Sequence, residues 1–279
     1  MTGPLTLGYS PCPNDTFIFY ALVHGKINCD DIQFAPPVLE DVETLNSWAL
    51  KGKLDITKLS CHALGHVLDE YCILSAGSAL GRGCGPLLVS RENLELAALK
   101  KRRIAIPGRY TTAALLLQML LPGCTELVEM RFDQIMPAIL RGEVEAGVII
   151  HESRFTYAQH NLICLQDLGE WWEKDSGLPI PLGAIAARRS LGGKSIGKIE
   201  RAIRDSVDFA FADPDTCLGY IREHSQEMAQ EVVQSHIGLY VNDFSRDLGV
   251  EGMAAIEQFL ERGQAVGALP AGPANLRYA

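Results

Sequence analysis

The sequence predicts an α/β fold of two lobes, each a mainly parallel sheet flanked by helices, with a ligand cleft between them. Three observations predict it. The 279 residues exceed the needs of one small core and suit two modest ones. Strand-like and helix-like segments alternate through much of the chain. One helix–strand arrangement also recurs at an offset of 90 residues.

Taken in order, Leu5 to Tyr9 reads as a strand, Ser10-Pro11-Cys12-Pro13-Asn14-Asp15 as a turn and Thr16 to His24 as an apolar helix. Asp41 to Lys51 is a short amphipathic helix stopped by Gly52, and Lys53 to Ser60 is the strand after it. The same order returns in the strand Arg103 to Ile106, the turn Pro107-Gly108-Arg109-Tyr110 and the helix Thr111 to Leu121. A helix from Arg131 ending at Gly142 then precedes Glu143 to His151, apolar and β-branched near its end like a buried parallel strand. One such pair arises by chance in any α/β chain. Two in the same order argue for lobes of like design.

Gly85-Pro86-Leu87-Leu88-Val89-Ser90 reads as a strand passing between lobes, and Ser176-Gly177-Leu178-Pro179-Ile180-Pro181 as the return hinge. Leu182 to Ala187 then rejoins the first lobe. This division assigns residues 1–88 to lobe 1, 89–181 to lobe 2 and 182–279 to a return segment with C-terminal helices. Those helices are expected at Ser195 to Phe211, Asp215 to Gln230 and Val250 to Arg262.

Composition narrows the function. A formal net charge of −9 offers no positive surface for nucleic acid or an anionic membrane. The first residues lack a basic region followed by an apolar run, and no apolar stretch nears the ~20 residues of a membrane span. The eight cysteines form no Cys-x-x-Cys pair, so reduced thiols in a cytoplasm are expected. The expected partner is a small anionic molecule held by local features. Oligomeric state is left open.

Ligands of open parallel α/β sheets bind beyond the carboxyl ends of the strands. Four segments combine such an end with polar residues. In the first, Asn14, Asp15 and Thr16 are candidate caps of a helix whose free N–H groups can hold an anion or hydroxyl. Cys12 beside them has no visible base and reads as inert. In the second, Lys58, Leu59 and Ser60 end a strand before a helix with His62 and His66, which lack the third ligand a zinc site needs. In the third, Gly108 precedes Thr111 and Thr112, whose hydroxyls and amides at a positive helix end suit a carboxylate or phosphate as well as plain capping. In the fourth, His151 ends an apolar strand beside Glu152; an imidazole titrating near ~6.5 can take a proton at neutral pH. The glycines of Gly77 to Gly85 fit no nucleotide motif and read as a tight inter-lobe turn; Trp171 and Trp172 read as packing.

Several of these segments resemble a known family. Ser10-Pro11-Cys12-Pro13-Asn14-Asp15-Thr16-Phe17, Asp55-Ile56-Thr57-Lys58-Leu59-Ser60, Gly85-Pro86-Leu87, Val148-Ile149-Ile150-His151-Glu152 and Gly177-Leu178-Pro179-Ile180-Pro181-Leu182-Gly183 are similar to signature segments of the 1,4-dihydroxy-6-naphthoate synthase family, on the futalosine route to menaquinone. The likeness weakens in the last third, and the Ser-Pro-Cys-Pro-Asn-Asp-Thr segment is its most specific part. It implies a type II periplasmic-binding-protein-like fold working as a cytoplasmic carbon–carbon lyase. Cyclic dehypoxanthinyl futalosine would become 1,4-dihydroxy-6-naphthoate plus a dihydroxyacetone-type fragment, with no metal and no organic cofactor.

The resemblance puts the catalytic base on His151 and substrate-binding segments on Lys58-Leu59-Ser60 and Thr111-Thr112. Asn14, Lys58 and Ser60 are expected on sugar-derived oxygens, and the substrate carboxylate at the Thr111–Thr112 helix end. Rival readings are a chorismate dehydratase of the same route, a non-catalytic solute-binding protein, and a ligand sensor on a regulator. The last lacks a visible DNA-binding motif.

Overall fold

The computed structural model describes residues 3–225, 229–272 and 275–278. In chain order its strands are β1 (Leu7–Tyr9), β2 (Val38–Leu39), β3 (Ile56–Ser60), β4 (Tyr71–Ile73), β5 (Ala79–Gly81), β6 (Leu87–Ser90), β7 (Ile104–Ile106), β8 (Leu127–Glu129), β9 (Ala146–Ile149), β10 (Ile163–Asp167) and β11 (Ile180–Arg188). They form two sheets. One runs β2-β1-β3-β11-β4 with β5 also on β11, and the other runs β8-β7-β9-β6-β10.

Apart from β5, which has no counterpart, the two orders correspond strand for strand, which bears out the internal repeat. β1 pairs in parallel with β2 and β3, as β7 does with β8 and β9. β11 runs antiparallel to β3, β4 and β5, as β6 does to β9 and β10. Both sheets are therefore mixed, within the mainly parallel design that the sequence predicts. A single strand in each opposes the rest, and it is the one that carries the chain across from the other sheet. The reason is geometric: a chain arriving from the cleft enters a sheet at the carboxyl ends of its parallel strands and must run against them.

The helices are α1 (Pro13–Val23), α2 (Val42–Ala49), α3 (Cys61–Val67), α4 (Leu96–Leu99), α5 (Thr112–Leu120), α6 (Phe132–Arg141), α7 (Ser153–Thr156), α8 (Leu168–Ser176), α9 (Gly193–Ala212), α10 (Pro214–His224), α11 (Gln230–Tyr240), α12 (Asp243–Arg246) and α13 (Gly249–Ala265). The repeated helices α2 and α6 are local designs. Asp41 caps α2 by accepting from the N–H groups of Glu43 and Thr44, and Gly142 ends α6 at φ 74°. In α9 the buried Ile196, Ile199, Ile203 and Val207 share one stripe and pack against the first sheet and α1. Each such side chain contributes roughly 1.5–3 kcal/mol of burial.

Some boundaries differ from the sequence reading. The helix expected over 215–230 is α10, ending at His224, followed by a new helix α11 from Gln230; residues 226–228 of that expectation lie outside the described residues. The return hinge is already strand: β11 begins at Ile180, and its register shifts between Pro181 and Gly183, where proline has no N–H to give the ladder. The first crossing segment packs closely on the start of α8, since a Cβ on Gly85 would stand 2.3 Å from the backbone of Gly169. Trp172 is wholly buried and donates to the Pro179 carbonyl at 3.1 Å, so it packs rather than lining a cleft. Among the described residues no helix is long and apolar enough to cross a membrane.

Candidate active site

The ends of β3 and β9 and the first turns of α1 and α5 face one cavity. Asn14, Lys58, Ser60, Thr111, Thr112 and His151 all line it. Residues up to 137 positions apart in the chain thus converge on one space (14 to 151). Leu59 does not join them. Its side chain is 0 % exposed in the core and its backbone pairs with Ala184, because the alternation of β3 turns it away from its neighbours.

Lys58 reaches across to Asp15 at 2.7 Å, with side chains 6 % and 1 % exposed. The Asp15 carboxylate also accepts from the Ser10 N–H at 3.2 Å, the Ser10 hydroxyl at 2.7 Å and the Asn14 amide at 2.8 Å. A buried charge held by a cation and three further donors is tolerable where a lone one is not. The capping role expected of Asn14, Asp15 and Thr16 is not what they do. Pro13 starts α1 after Cys12, and all three lie within its first turn. Asn14 works instead as a link, giving its amide N–H to Asp15 and accepting from His236 Nε2 at 2.9 Å.

His151 follows β9 at φ 56°, a left-handed conformation that costs a non-glycine residue about 1–3 kcal/mol. That turn sets its ring against Phe132, with centroids 5.0 Å apart, and parallel to His236 at 6.0 Å. Burial pushes its pKa below the usual imidazole value, against an opposing pull from Glu152. The ring is therefore neutral at neutral pH and has a lone pair to accept a proton. The Cys12 sulfur lies 3.6 Å from Nδ1, so the fold supplies the neighbouring base that the sequence did not show. Burial nonetheless drives the Cys12 thiol far up, away from the reactive thiolate.

The two threonine hydroxyls are already committed. Thr111 caps α5, accepting from the Ala114 N–H at 3.2 Å and donating to the Gly108 carbonyl at 2.8 Å. Thr112 donates to the Leu182 carbonyl at 2.6 Å and accepts from the Cys61 N–H at 3.1 Å, tying α5 to α3 and β11. What α5 still offers an anion is the backbone N–H of Thr112 and Ala113, which have no acceptor within the helix, and the positive end of its dipole. Ser60 does not cap α3; its hydroxyl accepts from Asn46 at 3.1 Å and keeps its hydrogen for a ligand. Glu43 on α2 accepts the Tyr110 N–H at 3.0 Å, just ahead of α5. Among the described residues no three His, Cys, Asp or Glu side chains converge as metal ligands.

A family model described as menaquinone biosynthesis matches residues 5–265. The chain belongs to the menaquinone biosynthesis family. Within that family it is 52 % identical over 98 % of both chains to the 1,4-dihydroxy-6-naphthoate synthase of Thermus thermophilus. It is 47 % identical, again over 98 % of both, to the enzyme of that name from Streptomyces coelicolor. A crystal structure of an Archaeoglobus fulgidus protein superposes at TM-score 0.89 with 38 % identity, covering 95 % of this chain and 98 % of that one. The periplasmic aliphatic sulphonate binding protein of Escherichia coli superposes at TM-score 0.67 with 12 % identity, covering 98 % and 91 %. At that identity it shows the fold alone, which is periplasmic-binding-protein-like, as the sequence resemblance implies.

The residues of this menaquinone-family chain that the sequence reading passed over come from late in the chain. His236 and Tyr240, one turn apart on α11, both line the cavity. No local motif marks them, and α11 itself was not foreseen. Asp15 was seen only as a cap, though a buried aspartate beside a lysine-bearing strand end is the hub of the polar network.

Proposed function

We propose that this chain is a lyase that converts cyclic dehypoxanthinyl futalosine to 1,4-dihydroxy-6-naphthoate and a dihydroxyacetone-type fragment. The observation that carries the reading is His151: a neutral imidazole held in a strained backbone conformation on the wall of the one cavity shared by five other expected site residues. The named relatives at 52 % and 47 % identity over nearly full length support the same activity.

In this mechanism His151 removes a proton from the bound substrate, which starts elimination and ring opening toward the aromatic product. The substrate carboxylate rests on the free N–H groups at the start of α5. Lys58 and Ser60 hold sugar-derived oxygens through the donors their internal bonds leave over, and Asn14 orients the polar wall. Enclosure between the sheets excludes water. We take residues 1–88 and 182–279 as one lobe and 89–181 as the other. This fits one sheet drawn from residues 7–81 and 180–188 and another from 87–167. We place the enzyme in the cytoplasm, a reading supported by eight cysteines that all stand as thiols.

The test is conversion of cyclic dehypoxanthinyl futalosine by the purified chain, followed by mass spectrometry, with chorismate as a control substrate. Naphthoate product from the wild type and a ~10²–10⁴-fold lower kcat in His151→Ala are expected. No turnover by the wild type, or turnover of chorismate instead, refutes the activity; near-normal turnover by His151→Ala removes the base.

A further inference from the structure

His236 carries a buried polar atom that the fold leaves unpaired. His236 is 1 % exposed, and its Nδ1 has no hydrogen-bond partner among the described residues although it is shut off from solvent. Its tautomer follows from its neighbours. The Asp15 carboxylate can only accept, so Asn14 must turn its amide nitrogen toward Asp15 and its oxygen toward His236. That oxygen requires a hydrogen on Nε2, 2.9 Å away. A neutral imidazole carries one hydrogen, so Nδ1 holds a bare lone pair. Burial, with His151 and Lys58 nearby, keeps the ring from gaining a second proton.

An unpaired buried acceptor is costly and calls for an explanation. Here it belongs to a residue on the wall of the proposed catalytic cavity, its ring parallel to that of His151 with centroids 6.0 Å apart. We propose that His236 Nδ1 is a specificity-determining contact that accepts a hydrogen bond from an alcohol hydroxyl in the sugar-derived part of the substrate, a contact made when the ligand displaces the side chains that cover Nδ1 in the ligand-free protein. This deepens, and rests on, the lyase reading. A carboxylate or keto oxygen brings no donor and is repelled by the lone pair. Such groups belong at the α5 N-terminus, across the same cavity. The two contacts together orient the ligand, carboxylate toward α5 and hydroxyl toward α11. A ligand without the hydroxyl leaves Nδ1 unpaired, which is how sites of this kind reject analogues.

Two substitutions separate the two faces of the ring. His236→Gln places an amide nitrogen near the Nε2 position and keeps the bond to Asn14, but offers the cavity no acceptor. His236→Asn places an oxygen near the Nδ1 position and loses Asn14. The expected result is a kcat/KM about 10–100-fold lower in His236→Gln, mainly through KM, with a near wild-type melting temperature. His236→Asn keeps more activity despite melting lower. If His236→Asn loses as much kcat/KM as His236→Gln, or more, His236 only supports Asn14 and the proposal is overturned. Histidine ¹⁵N NMR gives an arm independent of turnover. The ligand-free protein should show His236 protonated at Nε2, and its Nδ1 resonance should move when substrate is added to the His151→Ala protein. An Nδ1–H tautomer, or an Nδ1 resonance that substrate leaves in place, overturns the proposal. A wild type inert toward the substrate sinks the lyase reading instead, whatever tautomer is found.

Discussion

Replacing Lys58 with Met removes one partner of an ion pair that is almost wholly out of water. At 2.7 Å and an effective dielectric of about 20, the attraction between the two charges is about 6 kcal/mol, before the cost of drying both ions is subtracted. Breaking a buried pair on one side typically costs 3–5 kcal/mol, because the other charge is stranded. Asp15 would still hold the Ser10 N–H, the Ser10 hydroxyl and the Asn14 amide, which puts the expected loss near the lower end, about 3 kcal/mol. Asp15→Asn removes the counter-charge and leaves the ammonium only neutral acceptors, an amide oxygen and the Gly77 carbonyl at 3.5 Å, and should cost as much or more. The double variant Asp15→Asn/Lys58→Met removes both charges and should be less destabilised than the sum of the singles by roughly 1.5–3 kcal/mol. Urea unfolding of the four proteins at one pH measures the cycle. Additive losses would mean that the pair carries no coupling, and the account of the polar wall as one charged unit would fail.

Three further outcomes are expected. Because burial holds the His151 pKa below ~6.5, the acid limb of kcat/KM against pH, where the base gains a proton and activity is lost, should have its midpoint below that value. A midpoint at or above it would show either that another group is the base or that the ring is less buried than it stands here. Thr112→Ser should keep stability within about 1 kcal/mol, while Thr112→Val leaves the Leu182 carbonyl and the Cys61 N–H unpaired at about 1–3 kcal/mol each; equal denaturation midpoints for the two would contradict the bridging role. Gly85→Ala drives a methyl into the Gly169 backbone at 2.3 Å and should lower stability by about 1–3 kcal/mol or more, read as a fall in melting temperature; an unchanged melting temperature would show that the backbones of Gly85 and Gly169 are free to part.

Short-range patterns made much of this protein legible. The α2–β3 and α6–β9 repeats are marked by a cap or a glycine stop and a strand pattern within about a dozen residues, so two lobes of like design could be seen without coordinates. His151 could be placed at a strand end for the same reason, and Thr111 at a helix start. The family resemblance then attached roles to positions already suspected on chemical grounds.

What the tertiary structure alone decided is which groups remain free to act. In sequence Thr111, Thr112 and Asn14 are equal candidates to touch a ligand. Folded, both threonine hydroxyls are tied to backbone carbonyls and Asn14 links Asp15 to His236. His236 enters the site from more than two hundred residues beyond Asn14, on a helix with no motif of its own. The reversal of β6 and β11 was equally invisible, since strand direction depends on where the chain comes from and not on the residues in the strand. Caps, stops and periodicity are interactions between near neighbours, and a linear reading can find them. Hydrogen-bond satisfaction, burial and the sign of a pKa shift depend on everything within a few ångströms, and only folding determines what that is.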